Sequence, residues 1–420
     1  MNFSFCHYGQ LLLKKSYISV IYCFLLIFSA CTQAVQVDNI YSSSVAVSSQ
    51  QISEQHVGFD QALISVLIKA SGQLSHDTSR YQINKMLPAE PYVQSFGYRE
   101  NPEYILYLEE SKLAFEKESD DTLITGASPT ENESLSEAVE YPIQGEEREP
   151  LVPPLPFILD VHFDPSIIKN KMKSLGIPVW GSVRPSVLVW MVTEDLGERA
   201  IIGTSDESPF VQLLAQHSLE RGVPTFLPVA DLEDISNIDT DELWGLFPES
   251  VSSASDRYSA DARVLFRISN TEEDFWSGNW VLQIKGENYH GSVYDVSRGI
   301  VLSSLISSIA HTLSLKYAIN TTIDTSANYL NVEVGNISNF EDYVSVQNYL
   351  RDLSPVSEFS MTRVIGDSIE FKLILVVGQE KFFEHLELGG KLSRAVEALE
   401  PDVDELRPGL TEKLVWVREQ

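Results

Sequence analysis

The chain has 420 residues, of which 60 are aspartate or glutamate and 30 are lysine or arginine, so its formal net charge is −30 at pH 7. Because phosphate contacts need lysine and arginine, this charge argues against binding to nucleic acid or to anionic lipid. The length predicts several domains, and a hydrophobic content of 43% is ordinary for a globular protein.

Residues 1–34 have the pattern of a secretory signal peptide: a basic start, an apolar run and small residues at the exit. All three cysteines lie in this segment: Cys6, Cys23 and Cys31. Two cleavage routes stay open, as does an uncleaved segment that anchors the chain in the membrane. Cleavage after Ala34 leaves a mature chain without cysteine, and lipoprotein-type processing attaches a lipid anchor to Cys31. Either route predicts export to the periplasm, and we expect no membrane span after the signal peptide.

The first predicted domain is an α/β unit over residues 35–176. Its elements in chain order are a strand within 35–47, a helix over 54–70, a strand over 92–98 that residues 104–108 extend or follow, a strand over 157–163 and a helix ending near Leu175. Residues 116–150 are acidic and poor in apolar side chains, which predicts a disordered insertion.

Residues 177–320 form the second predicted domain, again α/β. The continuous apolar run from Val187 to Val192 predicts a strand that is buried on both faces. After it we expect a helix over 209–221 that ends at Gly222, strands over 262–268 and 276–284, and a helix over 301–318. Arg184 is the one charged residue of the stretch 175–190, and we expect it to pair with a carboxylate between domains.

The last predicted domain spans residues 328–418. Its strands and helices follow the order βαββαβ, with a tight turn at Gly366-Asp367 between two strands. This order is that of a ferredoxin-like unit. The whole chain is therefore predicted to combine the α/β and α+β classes in several small, mixed, layered domains.

Two groups of polar residues qualify as candidate cation sites. Asp160, His162 and Asp164 alternate along a predicted strand and so either offer a metal two carboxylates and an imidazole or form a solvent face. Two acidic clusters either bind cations weakly or cap short helices: Asp231, Glu233 and Asp234, and Asp239, Asp241 and Glu242.

Catalytic signatures are scarce. Ser166 and Lys169 match the S-x-x-K of penicillin-interacting serine enzymes, but the companion motifs of those enzymes do not occur in the sequence. Glycine-rich phosphate loops, the zinc-protease motif and the nucleophile elbow do not occur either. We therefore assign no catalytic, cofactor-binding or metal-binding residue and expect no cofactor.

One stretch carries a family resemblance: Gly176-Ile-Pro-Val-Trp-Gly181, followed by Arg184-Pro185 and Leu188-Val-Trp190. It resembles a family of uncharacterised exported proteins of Gram-negative bacteria, catalogued as domain of unknown function 2066. Further landmarks that look similar are 37–42, 62–72, 96–99, 227–232 and 244–245, so the resemblance covers about 37–318. It implies a periplasmic α/β protein and no catalytic residue.

We expect a non-enzymatic periplasmic protein of the cell envelope, an adaptor or assembly factor that acts on a protein partner. Export, several small domains and an acidic insertion favour this interpretation. Two other hypotheses stay open: a periplasmic protein that binds a small molecule or a divalent cation, and a hydrolase with a dispersed site.

Overall fold

The structure is a computed structural model, and it describes residues 35–75, 79–121, 153–195, 197–270, 275–319, 328–395 and 411–417. The chain divides into two compact units. The smaller unit comprises Asn39–Ile68 and Leu74–Leu175, and the larger comprises Met1–Asp38, Lys69–Gln73 and Gly176–Gln420. The expected signal peptide with Cys31, and residues 122–150 of the expected insertion, lie outside the described residues.

The smaller unit is built on a three-stranded antiparallel sheet. From residue 35 to 175 the elements are strands β1 (Val35–Gln36) and β2 (Ser42–Val47), helices α1 (Ile52–Ser71) and α2 (Arg80–Asn84), strand β3 (Val93–Glu100), helix α3 (Pro102–Asp121), strand β4 (Phe157–Phe163) and helix α4 (Pro165–Ser174). The sheet order is β2-β4-β3. In β4, Leu159, Val161 and Phe163 are buried, as the alternation in the sequence predicts. A Cβ on Gly58 would lie 2.6 Å from Leu159 Cδ2, so this glycine lets α1 approach β4 closely.

Three predictions for this part of the chain were wrong. The single strand expected within 35–47 is two strands, β1 and β2, in different sheets. Asn39 separates them, with a φ of 59° and a carbonyl that accepts from the Ser42 amide at 3.1 Å, the geometry of a turn. Residues 104–108 are helical, because Asn101 Oδ1 accepts from the Glu103 amide at 3.1 Å and Pro102 opens α3. Helix α3 also contains residues 116–121, which we had placed in the insertion.

The larger unit begins with a mixed sheet. From residue 183 to 317 its elements are strands β5 (Val183–Arg184), β6 (Val187–Asp195) and β7 (Glu198–Ile202), helix α5 (Pro209–Arg221), strand β8 (Thr225–Phe226), helices α6 (Leu232–Asn237), α7 (Thr240–Trp244) and α8 (Ser252–Asp256), strands β9 (Ala262–Asn270), β10 (Trp276–Ile284) and β11 (Glu287–Asp295), and helix α9 (Arg298–Tyr317). The sheet order is β11-β10-β9-β6-β7, and β8 also pairs with β6.

Strand β6 is the most deeply buried element of this sheet. It runs parallel to β8 and β9 and antiparallel to β7. Its side chains enter two cores alternately, one with α5 and α9 and the other with residues 238–254: Val187, Val189 and Met191 in the first, Leu188, Trp190 and Val192 in the second. The prediction of a strand buried on both faces is therefore confirmed.

Strand β11 was not predicted. It pairs with β10 across a hairpin whose turn residues, Lys285 and Gly286, have φ values of 48° and 80°. Positive φ at both turn positions is the geometry of the tightest hairpins, which asparagine and glycine usually supply. Because lysine stands at the first position, the sequence lacks the usual hairpin signal.

Helix α9 is, within the described part of the chain, the one helix long and apolar enough to cross a membrane by length and composition. Its buried side chains, including Leu305, Ile306 and Ile309, belong to the main core of the larger unit. The apolar character of α9 is thus accounted for by packing beneath the sheet.

The C-terminal part of the larger unit has its own sheet. Its elements are β12 (Asn328–Gly335), helix α10 (Phe340–Asp352), β13 (Val356–Ile365), β14 (Ser368–Leu375), helix α11 (Gln379–Gly389), β15 (Leu392–Arg394) and β16 (Thr411–Trp416). The sheet order is β13-β14-β12-β16-β15, and β12, α10, β13 and β14 form the βαββ part of the predicted ferredoxin-like unit. The last strand departs from the prediction: β16 runs parallel to β12, whereas a ferredoxin-like unit has its last strand antiparallel to the first, and the extra short strand β15 precedes β16 and pairs with it. Gly366, with a φ of 62°, makes the predicted turn between β13 and β14. The predicted fold class, α/β and α+β, is confirmed.

A buried arginine joins distant segments of the larger unit. Arg184 is 0% exposed, and its guanidinium lies 4.0 Å from the ring centroid of Trp180. Five hydrogen bonds run from it to backbone carbonyl oxygens: those of Gly181 (2.9 Å), Trp180 (3.1 Å), Lys69 (2.8 Å), Arg221 (3.2 Å) and Gly222 (2.7 Å). A guanidinium has five N–H groups, so this set of acceptors matches its full donor capacity.

The acceptors of Arg184 explain why a charge is tolerated there. Lys69 lies in the last turn of α1, and Arg221 ends α5. The carbonyl groups at a helix C-terminus lack intrahelical partners and carry the negative end of the helix dipole. We expected a carboxylate to neutralise Arg184, and the structure instead surrounds it with carbonyl dipoles from two helix ends and the loop 180–181.

Candidate functional site

The strand residues proposed as metal ligands have protein partners. Asp160 accepts hydrogen bonds from the Ser44 hydroxyl and from Arg99 Nε, the latter at 3.0 Å. His162 Nδ1 lies 2.8 Å from Ser42 Oγ. Within the residues that the structure describes, no group of three or more His, Cys, Asp or Glu side chains is arranged to hold a metal ion. Cross-strand hydrogen bonding accounts for Asp160 and His162.

Asp164 belongs to the helix that follows. Its carboxylate caps α4 by accepting from the amides of Ser166 at 2.8 Å and Ile167 at 3.1 Å. The Ile167 amide, followed by the hydrogen bonds from Ser166, holds the pKa of Asp164 below its usual range. Lys169 Nζ lies 5.5 Å from the ring centroid of Tyr41. The S-x-x-K match therefore falls on the capped first turn of α4.

The first residue of each acidic cluster caps a short helix. Asp231 accepts from the Asp234 amide at 3.1 Å and caps α6. Asp239 accepts from the amides of Asp241 at 2.8 Å and Glu242 at 3.4 Å and caps α7. The capping interpretation accounts for the first residue of each cluster.

Helix α6 buries a carboxylate and exposes two large apolar side chains. Asp234 is 1% exposed, whereas Leu232 is 82% exposed and Ile235 is 57% exposed. Residues three apart are neighbours on a helix surface, so Leu232 and Ile235 form one outward face, with Val229 exposed just before the helix. A buried carboxylate beside exposed large apolar side chains is the reverse of the usual distribution and therefore informative. We call Val229, Leu232 and Ile235 the α6 surface.

The hydrogen bonds of Asp234 fix this orientation. Its Oδ2 accepts from the Ala230 amide at 3.0 Å and from the Tyr258 hydroxyl at 2.6 Å, and its Oδ1 lies 3.3 Å from Arg257 Nη1. A buried carboxylate is costly unless donors of this kind compensate for lost water. With Asp234 held inward, the helical period turns Leu232 and Ile235 to the solvent.

Arg257 ties the start of α6 to α8 by a two-pronged ion pair. Its Nη1 and Nη2 atoms lie 2.9 and 3.0 Å from the two carboxylate oxygens of Asp231. The hydrogen bond to Asp231 raises the pKa of Arg257, and the same bond, followed by that of the Asp234 amide, lowers the pKa of Asp231. Both groups therefore stay charged over the ordinary pH range.

Tyr258 completes the support of α6. Its hydroxyl donates to Asp234 and accepts from the Val229 amide at 2.8 Å, and its ring meets Trp190 edge-on at 6.1 Å between centroids. Burial, and then the bond to Asp234, raises the pKa of Tyr258 to about 12. The residues that orient the α6 surface thus come from positions 230–258, and the sequence signals only the capping residues among them.

The Tyr258→Phe variant should lower the free energy of unfolding by about 2 kcal/mol, because a hydrogen bond to a carboxylate is lost and the Val229 amide loses its acceptor. A raised pKa means that the protonated hydroxyl stabilises the fold fully below its unfolded pKa of 10.0 and loses that effect as pH rises through about 12. Urea unfolding of both proteins should therefore show a difference that shrinks across this window. Tyr294→Phe, at a residue that is 77% exposed, is the control. A difference that does not change with pH would contradict the assignment.

One comparison with known proteins gives a family match, over the N-terminal part of the chain. A family model described as a domain of unknown function (DUF8605) matches residues 34–181, so the resemblance to the family catalogued as 2066 was wrong. A comparison with curated proteins gives no match.

Two solved structures are similar to part of the chain. A competence-damaged protein (CinA) superfamily protein from Escherichia coli is 14% identical with a TM-score of 0.20, over 36% of this chain and 87% of that chain. An uncharacterized protein is 12% identical with a TM-score of 0.12, over 31% of this chain and 95% of that chain. Neither TM-score supports an argument about fold or function. The family match over residues 34–181 ends before α6, so the α6 surface stands on its own geometry.

Proposed function

We propose that the protein is a non-enzymatic adaptor or assembly factor of the periplasmic cell envelope, and that it binds a protein partner through the α6 surface. The observation that carries the proposal is the outward face of α6, where Leu232 is 82% and Ile235 is 57% exposed while Asp234 is buried. Large apolar side chains that stay in water do not stabilise the free protein. Burying them against a partner removes apolar surface from water, which favours binding.

The support of α6 adds to this argument. Side chains that serve as binding anchors gain affinity when the free protein already holds them in place, because less conformational entropy is lost on association. Asp234, Tyr258 and Arg257 hold α6 through hydrogen bonds of 2.6–3.3 Å. The export pattern of residues 1–34 supports the envelope as the place of action.

The proposal predicts that Leu232→Ser/Ile235→Ser weakens partner binding at least about tenfold without loss of fold, since exposed anchors contribute to binding and not to the core. Purified full-length variants with a photo-crosslinking residue at position 229 would be incubated with envelope fractions, and crosslinked products quantified. Leu219→Ser is the matched control, because Leu219 is 75% exposed on α5. Products of equal yield from the double variant and the control would contradict the proposal.

A further inference from the structure

We infer that the occupant of the α6 surface is a basic amphipathic segment of the partner protein, with lysine or arginine beside apolar side chains. This inference rests on the proposed function and names the chemistry of the partner. The argument comes from the charge around the α6 surface and from the spacing of its apolar side chains.

In the chain segment that contains the α6 surface, residues 229–250, all charged side chains are negative. Residues 229–250 contain seven carboxylates and no lysine or arginine: Asp231, Glu233, Asp234, Asp239, Asp241, Glu242 and Glu249. Six of these seven are at least partly exposed, the exception being Asp234. An acidic segment or an anionic lipid would be repelled here, whereas a basic segment is attracted and steered.

Internal cations neutralise only part of this charge. Arg257 forms ion pairs with Asp231 and Asp234 and lies 3.3 Å from Glu233. Arg199 forms ion pairs with Asp241 at 2.6 Å and with Glu194 at 3.0 Å. A third arginine, Arg267, donates to the Trp244 carbonyl oxygen at 3.0 Å. Seven carboxylates thus face three arginines, and the segment 229–250 keeps a net negative charge. Exposed Glu242 and Glu249 add to that charge.

The apolar side chains set the second requirement. Leu232 and Ile235 are three residues apart on one helical face, and Phe247, 60% exposed, is a further large apolar group in the same acidic segment. A partner helix that presents apolar residues at i, i+3 and i+4 carries a stripe that matches such a face. Lysine or arginine flanking that stripe would meet the surrounding carboxylates, where their long stems also cover apolar surface.

The test is calorimetric titration of the full chain with three synthetic helical peptides. The first contains leucine at i, i+3 and i+4 with lysine elsewhere, the second replaces leucine by serine, and the third replaces lysine by glutamate. We expect the first to bind at least about tenfold more tightly than either of the others, and to weaken as salt is raised. Equal binding of the serine peptide would show attraction to net charge alone and would overturn the inference.

Protein variants locate the binding. Glu233→Gln/Glu242→Gln should weaken the binding of the lysine–leucine peptide. The control Glu341→Gln/Glu380→Gln removes two exposed carboxylates from α10 and α11 and should leave that binding unchanged. Leu232→Ser/Ile235→Ser should also weaken the binding of this peptide, and unchanged affinity in this variant would overturn the inference.

The two proposals can fail separately. If photo-crosslinking of the partner depends on Leu232 and Ile235 but the basic peptide does not bind, the inferred chemistry of the partner is wrong and the proposed function stands. If the peptide binds but envelope crosslinking does not depend on those residues, the proposed function fails instead.

Discussion

Arg184→Met should lower the free energy of unfolding of the larger unit by about 4 kcal/mol. Methionine fills much of the space of the arginine stem but donates no hydrogen bond, so five carbonyl oxygens lose a donor at once. Three of those carbonyls, of Lys69, Arg221 and Gly222, lie at helix ends, where no intrahelical donor replaces the lost one. Arg184→Lys should be intermediate, because an ammonium has three donors for five acceptors.

Tryptophan fluorescence during urea unfolding would measure this change. All six tryptophans lie in the larger unit, so their fluorescence reports that unit: Trp180, Trp190, Trp244, Trp276, Trp280 and Trp416. Arg363→Met is the matched control, because Arg363 is exposed on β13 and its replacement should change stability by no more than about 0.5 kcal/mol. If Arg184→Met and Arg363→Met unfold at the same urea concentration, the carbonyl cluster does not support the fold as described.

Asp234→Ala should lower the free energy of unfolding by about 3 kcal/mol and release α6. The substitution leaves the Ala230 amide and the Tyr258 hydroxyl without their acceptor and removes one carboxylate from Arg257. Hydrogen exchange should become faster over residues 229–237, because the carboxylate that holds the helix inward is gone.

The control for Asp234→Ala is Asp256→Ala, which removes an exposed aspartate from α8 in the same region. It should leave both the unfolding curve and the exchange of residues 229–237 unchanged. Equal exchange rates in the two variants would mean that α6 is held by contacts other than those of Asp234.

Much of the fold follows from local sequence signals. The helix over 209–221 has proline at its start and glycine after its end, and the structure gives it the predicted limits, with Gly222 at a φ of 63°. Strand β10 likewise has its predicted limits. The prediction failed at α3 because residues 104–108 were assigned to a strand although an asparagine and a proline at the start of α3 favour a helix. It failed at β11 because the hairpin turn before that strand has no asparagine.

The candidate site is harder to predict because its support is not local. From sequence, Leu232 and Ile235 would be placed in the core and Asp234 in the solvent, since apolar faces normally turn inward. Arg257 and Tyr258 reverse this, and they lie more than twenty positions away. The sequence did mark Arg184 as structural, but not its acceptors, because backbone carbonyls carry no side-chain signature and Lys69 is 115 positions away.

Because its acceptors are carbonyl groups, Arg184 should stabilise the larger unit independently of pH and ionic strength. A guanidinium stays protonated at any pH a protein normally meets, and a peptide carbonyl has no proton to gain or lose. A salt bridge in the same place would depend on the ionisation of its carboxylate and, if exposed, on ionic strength. The contact between residues 69, 184 and 222 should therefore be equally strong at acid pH, at neutral pH and at high salt concentration.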